Sequence, residues 1–439
     1  GNDASDGTLP FALYTSIDRD TTITTQSLDM VNGVGGFIET SAHTLNLLGT
    51  INAGRGGMWL IDPTDVIIDT NNYSTYINGL NSSDVTVSAT GSIYLRSHLI
   101  TTTNNSLYLK ADGAIVINGG AQIWLNNAGT GTGSLYMGGA GVASINSSNW
   151  ISSCSNCYAS TVTSGATGAD YAGVNIGTQN AQVTGAVDIR VGGDVVIAGK
   201  NTTSSGSLGV TLFSGSKIYA RNISIYATAT VSSSMQLGWG SPTSIDLRAT
   251  SSTGKIYIGG QSTSGQGARI IGGELRAPFI ELVGAVPTSQ IGVMLGVSGE
   301  PYYSINLYTN NLKFLADKIE LNQPKVYVYT CSGQCATAAG SSFSLDVSSY
   351  STSADPTFYF SGGNSSAMPN SGTNLTGVNT SYGGYLVMPA GTWSGYSYRR
   401  SSGIDITSDI SVAGPISIIS NNGSIWFNAS LTSSLSGAG

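Results

Sequence analysis

Charge is scarce in this chain. Only 9% of its 439 residues are charged, where ordinary soluble proteins carry roughly 25%. The 17 Lys and Arg are outnumbered by 24 Asp and Glu, for a net charge of −7. Such a chain cannot supply the basic field that displaces counterions from phosphates, which excludes nucleic acid as a partner. No run of 18 apolar residues occurs, so a membrane-spanning helix is excluded. Initiator methionine and a basic, apolar leader are both missing, and the sequence reads as a mature, processed product. Disorder is not what the remainder suggests, because 40% of residues are hydrophobic and 8% aromatic, enough to bury a core.

Cysteine is limited to two close pairs, Cys154 with Cys157 and Cys331 with Cys335. Short-loop disulfides in an oxidising compartment are preferred over thiolate ligation, since no histidine and no second pair at zinc-ribbon spacing accompany them. An extracellular location is the expectation that follows. The abundant residues are Gly, at 59 positions and about twice average usage, together with Ser, Thr and Asn. This is the vocabulary of many strands and turns.

Short segments with apolar residues at period two recur between 91 and 137: Ile93-Tyr94-Leu95, Leu107-Tyr108-Leu109, Ile115-Val116-Ile117, Ile123-Trp124-Leu125 and Leu135-Tyr136-Met137. Asn-Asn, Asp-Gly, Gly-Gly and Gly-Thr-Gly turn signals separate them. Ile93 to Ile115 spans 22 residues and Ile115 to Leu135 spans 20, so two or three strands fit each unit. A second pattern, apolar-x-Ala-x-x-Ile-x-apolar, occurs at Ile218-Ala220-Ile223-Ile225, Leu275-Ala277-Ile280-Leu282 and Phe314-Ala316-Ile319-Leu321. No stretch is read as an amphipathic helix. A unit of about 20 residues cannot bury its own apolar face and must stack, which predicts an all-β fold, a parallel β-solenoid, over a series of sandwiches. Asn-Asn pairs at 71-72, 104-105, 126-127, 310-311 and 421-422 suit its turns.

The expected organisation is a strand and leader segment over 1–30, coils over 31–145, a loop excursion over 146–185 carrying Cys154 and Cys157, and coils again over 186–328. A lateral insertion over 329–402 follows, carrying Cys331, Cys335 and an aromatic cluster of Tyr382, Tyr385, Trp393, Tyr396 and Tyr398, and terminal coils occupy 403–439. That cluster is read as packing of a lateral flap, with a sugar-stacking glycan platform as the alternative.

Residues 35–70, GGFIETSAHTLNLLGTINAGRGGMWLIDPTDVIIDT, resemble a segment of large exported proteins of the filamentous haemagglutinin type. There a G-G-F-[IV]-E-T-S-x-H strand pair precedes a Gly-rich turn and a W-L-[IL]-D-P-x-D element, matched here by Gly35 to His43, Gly54 to Gly57 and Trp59 to Asp65. The stretches 84–120 and 410–439 are similar to that family's later coils. The resemblance implies a right-handed parallel β-helix, export from a Gram-negative cell through an outer-membrane partner, and a role in adhesion, aggregation or biofilm without catalysis or cofactor. The N-P-N-G type element of the family's secretion domain is not found, so an internal released portion or a relative reduced to its fibre-forming part is expected.

Other candidate sites carry structural readings. Asp62, Asp65 and Asp69 form the densest acidic group, where clustered carboxylates could serve a polysaccharide-active enzyme; a turn beside Pro63 and strand-edge charges are preferred. Asp3, Asp6, Asp18 and Asp20 are too loosely arranged to name a calcium site. His43 and His98 lack the neighbours of a catalytic or metal site, and His43 is read as a turn residue. The GGAG and GRGG stretches lack the Lys-Ser/Thr of a phosphate loop. Sequons at Asn81, Asn201, Asn222, Asn364 and Asn428 are common in so Ser- and Thr-rich a chain.

Uncapped ends give the functional expectation. Leu9, Phe11, Leu13 and Tyr14 lie in an apolar strand behind a polar leader, and Ile416, Ile418, Ile425, Trp426 and Phe427 lie in strands within 25 residues of Gly439. Unlike surfaces that meet without closing give an open filament, so head-to-tail homopolymerisation, with a strand of one copy added to the edge of the next, is the leading reading. The alternatives are a monomeric adhesin fragment binding cell-surface or matrix polysaccharide and, less favoured, a carbohydrate-active enzyme.

Overall fold

A computed structural model describes residues 12–29, 31–126, 131–140, 173–177, 185–201, 208–230, 233–239, 245–296, 304–321, 326–329 and Cys331, and, by backbone alone, a series of strands between 344 and 433. The chain forms two compact units, Gly1–Tyr226 and Ala227–Gly439. Each is a parallel β-solenoid built mainly on three sheets.

In the first unit, sheet one holds Val66–Ile68, Ile93–Leu95, Ile115–Ile117, Val174–Ile176 and Val210–Phe213. Sheet two holds Leu99–Thr101, Gln122–Leu125, Asp188–Val191 and Lys217–Ala220. Sheet three runs Phe37–Ala42, Met58–Pro63, Asp84–Ala89, Leu107–Ala111, Leu135–Gly139 and Val195–Asn201. Every registered pair in these sheets is parallel. Alternation sends one set of side chains inward, where identical columns stack: Trp59, Val85, Leu107, Leu135 and Val195 lie one above another, all fully buried. Coils of this unit are shortest early, with Ile38 opposite Trp59 and Val85 opposite Leu107, and longer in sequence later, with Leu135 opposite Val195.

Serine and aspartate at the corners explain part of the composition. A corner leaves backbone N–H groups outside the ladders, and each buried one needs an acceptor. Ser106 N donates to Asp84 Oδ1 at 2.8 Å, Ser134 N to Ser106 Oγ at 3.1 Å, and Asp194 N to Ser134 Oγ at 3.0 Å. One polar column thus climbs the corner in front of sheet three. Asn126 Nδ2 donates to Asn104 Oδ1 at 3.0 Å, so two of the Asn-Asn turns do stack.

One element departs from the sequence reading. Tyr73–Ser82 is an α-helix, the middle element of a coil whose neighbours place a strand there. It follows Val66–Ile68, precedes Asp84–Ala89, and packs between Thr50–Asn52 and Leu99–Thr101. Its buried side is Thr75, Tyr76, Gly79 and Leu80.

The second unit repeats the plan. Sheet two is Ile245–Ala249, Gly273–Arg276, Ile305–Tyr308, Val326–Tyr329 and Tyr385–Val387; sheet three is Lys255–Ser262, Phe279–Ala285, Asn311–Ala316, Ser344–Ser348, Gly395–Arg400 and Ile416–Ser420. Sheet one holds Met235–Trp239, Ala268–Ile270, Val293–Leu295, Lys318–Leu321 and Thr357–Phe360. The stretch 329–402, expected as a lateral insertion, therefore contributes rungs: Ser344–Ser348, Thr357–Phe360, Tyr385–Val387 and Gly395–Arg400 all lie parallel on earlier strands. Its additions are two antiparallel strands, Asn364–Ser366 and Asn374–Thr376. Beyond it, Ile404–Ile406 pairs Ile425–Phe427 and Ile410–Val412 pairs Leu431–Ser433, both parallel.

Candidate functional site

The carboxylates considered for chemistry are dispersed into structural duties. Asp65 Oδ1 accepts Ser92 N at 2.6 Å, tying one corner to the next coil. Asp69 Oδ1 accepts Asn71 N at 2.8 Å, and Asp69 N donates to Asn72 Oδ1 at 2.9 Å, a turn that leads into the helix. Asp62 lies on sheet three, opposite Ser41. Burial first, then the charges of Glu39 and Asp112, hold its carboxyl above the usual carboxylate range. Its charged neighbours are thus Glu39 and Asp112, and Asp65 is turned to a corner. Among the described residues no group of three His, Cys, Asp or Glu is placed to hold a metal. His43 and His98 are exposed, and His43 sits in a turn whose N–H donates to Ala12 O at 2.8 Å.

The Asp65 corner is testable. Asp65→Ala removes an acceptor with charge and leaves Ser92 N unpartnered, a loss of about 1–3 kcal/mol. Amide exchange at Ser92 and its neighbours is expected to accelerate accordingly, while Asp65→Asn, which keeps an oxygen, recovers most of the protection. Unchanged exchange in Asp65→Ala would refute the corner role.

The expected assembly residues fall into two groups. Leu9 and Phe11 lie outside the described residues. Leu13 and Tyr14 are 80% and 59% exposed, at the start of Tyr14–Ile17, which pairs Thr44–Leu47. Leu28, Val31, Val34 and Phe37 are also exposed, so the first coil carries an apolar rim. Its strands Tyr14–Ile17, Thr22–Thr24 and Phe37–Ala42 each have one strand neighbour among the described residues. At the other group, backbone register sets Ile416 and Ile418 opposite Tyr396 and Tyr398, and Ile425, Trp426 and Phe427 opposite Ile404, Asp405 and Ile406.

The aromatic cluster does not gather on one sheet. Tyr382 and Trp393 lie outside the described residues. Tyr385 belongs to sheet two, whereas Tyr396 and Tyr398 are on sheet three, in register with Leu345 and Val347 and, one rung further, with Leu312 and Phe314. Cys154, Cys157 and Cys335 are likewise outside the described residues. Cys331 is buried and disulfide-bonded, and its N–H donates to Asn310 Oδ1 at 2.9 Å.

Sequence reasoning missed the outer face of sheet two. In the first unit Arg190 forms a two-point ion pair with Asp188, its Nε and Nη2 at 3.0 and 2.8 Å. The guanidinium lies 4.6 Å from the Trp124 ring centroid and 5.5 Å from that of Tyr219. In the second unit Asp246 and Arg248 pair at 2.7 Å, Glu274 pairs Arg276, and Arg276 lies 4.5 Å from the Tyr308 ring centroid. The missed signal is an acid-apolar-Arg tripeptide, Asp188-Ile-Arg190, Asp246-Leu-Arg248 and Glu274-Leu-Arg276, which in a strand puts both charges on one face.

No family model, no curated protein and no solved structure matches this chain. No helix among the described residues is long and apolar enough to cross a membrane.

Proposed function

We propose that the chain is an extracellular structural protein whose copies add head to tail into a β-solenoid filament that supports adhesion, aggregation or biofilm. The observation that supports this reading is the parallel stacking of the described coils, whose ladders a coil of another copy would continue. Among the described residues Tyr14–Ile17, Thr22–Thr24 and Phe37–Ala42 have one strand neighbour apiece, in a coil that exposes Leu13, Tyr14, Leu28, Val31, Val34 and Phe37. Open strand edges are templates for pairing, and contiguous exposed apolar groups mark interaction sites. A coil of another copy laid on that edge would extend the ladders and cover the apolar rim together. Export from a Gram-negative cell through an outer-membrane partner is part of the proposal and rests on the resemblance of residues 35–70.

Electron microscopy of the purified protein over a concentration series tests it. Threads with a layer line at about 4.7–4.9 Å, the strand spacing along the axis, are expected to lengthen with concentration. Phe37→Lys, which puts a charge on the exposed rim and leaves the buried columns intact, is expected to shorten them severely. Rods of single-molecule length at every concentration would overturn the reading and move the function to the sides of the solenoid.

A further inference from the structure

On sheet two of the second unit, four successive strands present two outward columns in strict register. One column is Asp246, Glu274, Asn306 and Tyr327; the other is Arg248, Arg276, Tyr308 and Tyr329. The residues between them, Leu247, Leu275, Leu307 and Val328, are buried, which fixes both columns on the outside. Acid therefore stands above acid and arginine above arginine, one strand spacing apart. Like charges directly opposite on adjacent strands are unfavourable, and the ion pairs within each strand, 2.7 Å for Asp246 and Arg248, hold both columns in place. The face ends in tyrosines: Tyr308 and Tyr329 stack at 4.9 Å between centroids, Tyr327 and Tyr329 at 6.1 Å. The Arg248 side chain and Tyr329 remain 40% and 41% exposed.

We propose that this face docks sideways on the same face of a second copy, related by a two-fold axis parallel to the solenoid axis. Self-complementarity is what an isologous contact requires, and one orientation of this face matches opposite charges on both charged rungs. A two-fold along the coil axis exchanges left and right at constant height, so the acidic column of one copy meets the arginine column of the other. A two-fold along the strands reverses the order of the rungs, so it sets the charged rungs of one copy against the Asn and Tyr rungs of the other and forms no ion pair across the interface. The parallel arrangement sets opposite charges against each other across the interface and brings the tyrosines of both copies together. Arginine and tyrosine are the residues enriched at such interfaces. Four strands make a small patch, so one contact is weak. Repeated along a thread, it becomes multivalent. The pairing concerns one side of one unit and does not require end-to-end addition.

Sedimentation velocity of the full chain tests it over a range of concentration and salt. Self-association of the wild type is expected to weaken about tenfold or more between low and high salt, as screening predicts, and Arg276→Glu is expected to weaken it by a similar factor at low salt. Unchanged thermal melting would show that this variant folds. The decisive variant exchanges the columns: Asp246→Arg, Arg248→Asp, Glu274→Arg and Arg276→Glu together. It keeps self-complementarity but faces like charge against the wild type, so it is expected to pair with itself and not with labelled wild-type chain. Equal mixing with the wild type, undiminished association of Arg276→Glu, or a monomer that instead binds soluble polysaccharide through this face would each overturn the proposal. Micrographs separate it from end-to-end addition. Loss of side pairing leaves single threads, whereas loss of end-to-end addition leaves paired rods.

Discussion

Replacing Trp59 with alanine is expected to lower the stability of the first unit by about 3–5 kcal/mol, the range for removing a fully buried large aromatic. Trp59 has no exposed surface and closes three interactions at once. It stands in the inward column beneath Val85. Its Nε1 donates to Thr40 Oγ1 at 3.1 Å, binding adjacent coils. Its ring tilts against Tyr76 at 5.8 Å, which fastens the helix Tyr73–Ser82 to sheet three. Loss of the indole leaves a cavity under the helix, where the coil has no strand in sheet two to hold it. Because solenoid coils are stabilised mainly by their immediate neighbours, hydrogen exchange is expected to rise first in the helix and in Met58–Pro63 and Asp84–Ala89. Uniform acceleration through the first unit would contradict this locality.

The same contact predicts a change of sign. A Cβ at Gly79 would stand 2.5 Å from Trp59 Cε3, so Gly79→Ala overpacks the site and costs about 1–3 kcal/mol. In the Trp59→Ala background that obstacle is gone, and alanine's better helix propensity, about 1 kcal/mol over glycine, makes the substitution neutral or favourable. Chemical denaturation of the four proteins of this cycle measures the coupling.

The solenoid was legible because its physics is local. Ile93-Tyr94-Leu95, Leu107-Tyr108-Leu109 and Ile115-Val116-Ile117 alternate at period two and are strands. A unit that short leaves stacking as the way to bury its apolar face. The alanine pattern was legible too, though its meaning is a corner. Ala220, Ala277 and Ala316 are fully buried where one strand ends and the next begins, and a small side chain lets the chain turn inside the core. The helix carried its signal, since Tyr73, Tyr76, Ile77 and Leu80 sit at i, i+3, i+4 and i+7. It was hidden because glycine, serine and asparagine fill the other positions and resemble a loop. The face of sheet two was legible only in fragments. Asp246-Leu-Arg248 and Glu274-Leu-Arg276 are 28 residues apart, and nothing in either tripeptide says that coil length will bring them into register. Columns belong to the fold, whereas alternation belongs to the strand.

Gly273 joins the stability of that face to its use, and Gly273→Ala is expected to damage both. Its φ is +127°, a conformation that costs a residue with a side chain on the order of 1–3 kcal/mol. An added Cβ would also lie 2.2 Å from the Ile245 carbonyl oxygen and 2.7 Å from the Ile245 nitrogen, backbone atoms that are already fixed in the ladder. Relief requires the strand Gly273–Arg276 to move off Ile245–Ala249, which adds an overpacking cost of about 1–3 kcal/mol. Gly120 separates the two causes. It has φ +81°, and no atom lies within 4 Å of the point where its methyl group would stand, so Gly120→Ala should carry the conformational cost alone, about 1–2 kcal/mol. Denaturation is expected to place Gly273→Ala well below Gly120→Ala, and equal losses would remove the steric argument. The displaced strand carries Glu274 and Arg276, whose columns depend on register with Asp246 and Arg248. Sideways association should therefore weaken in Gly273→Ala even at temperatures where the protein stays folded, because the charges would no longer meet their counterparts at the same height.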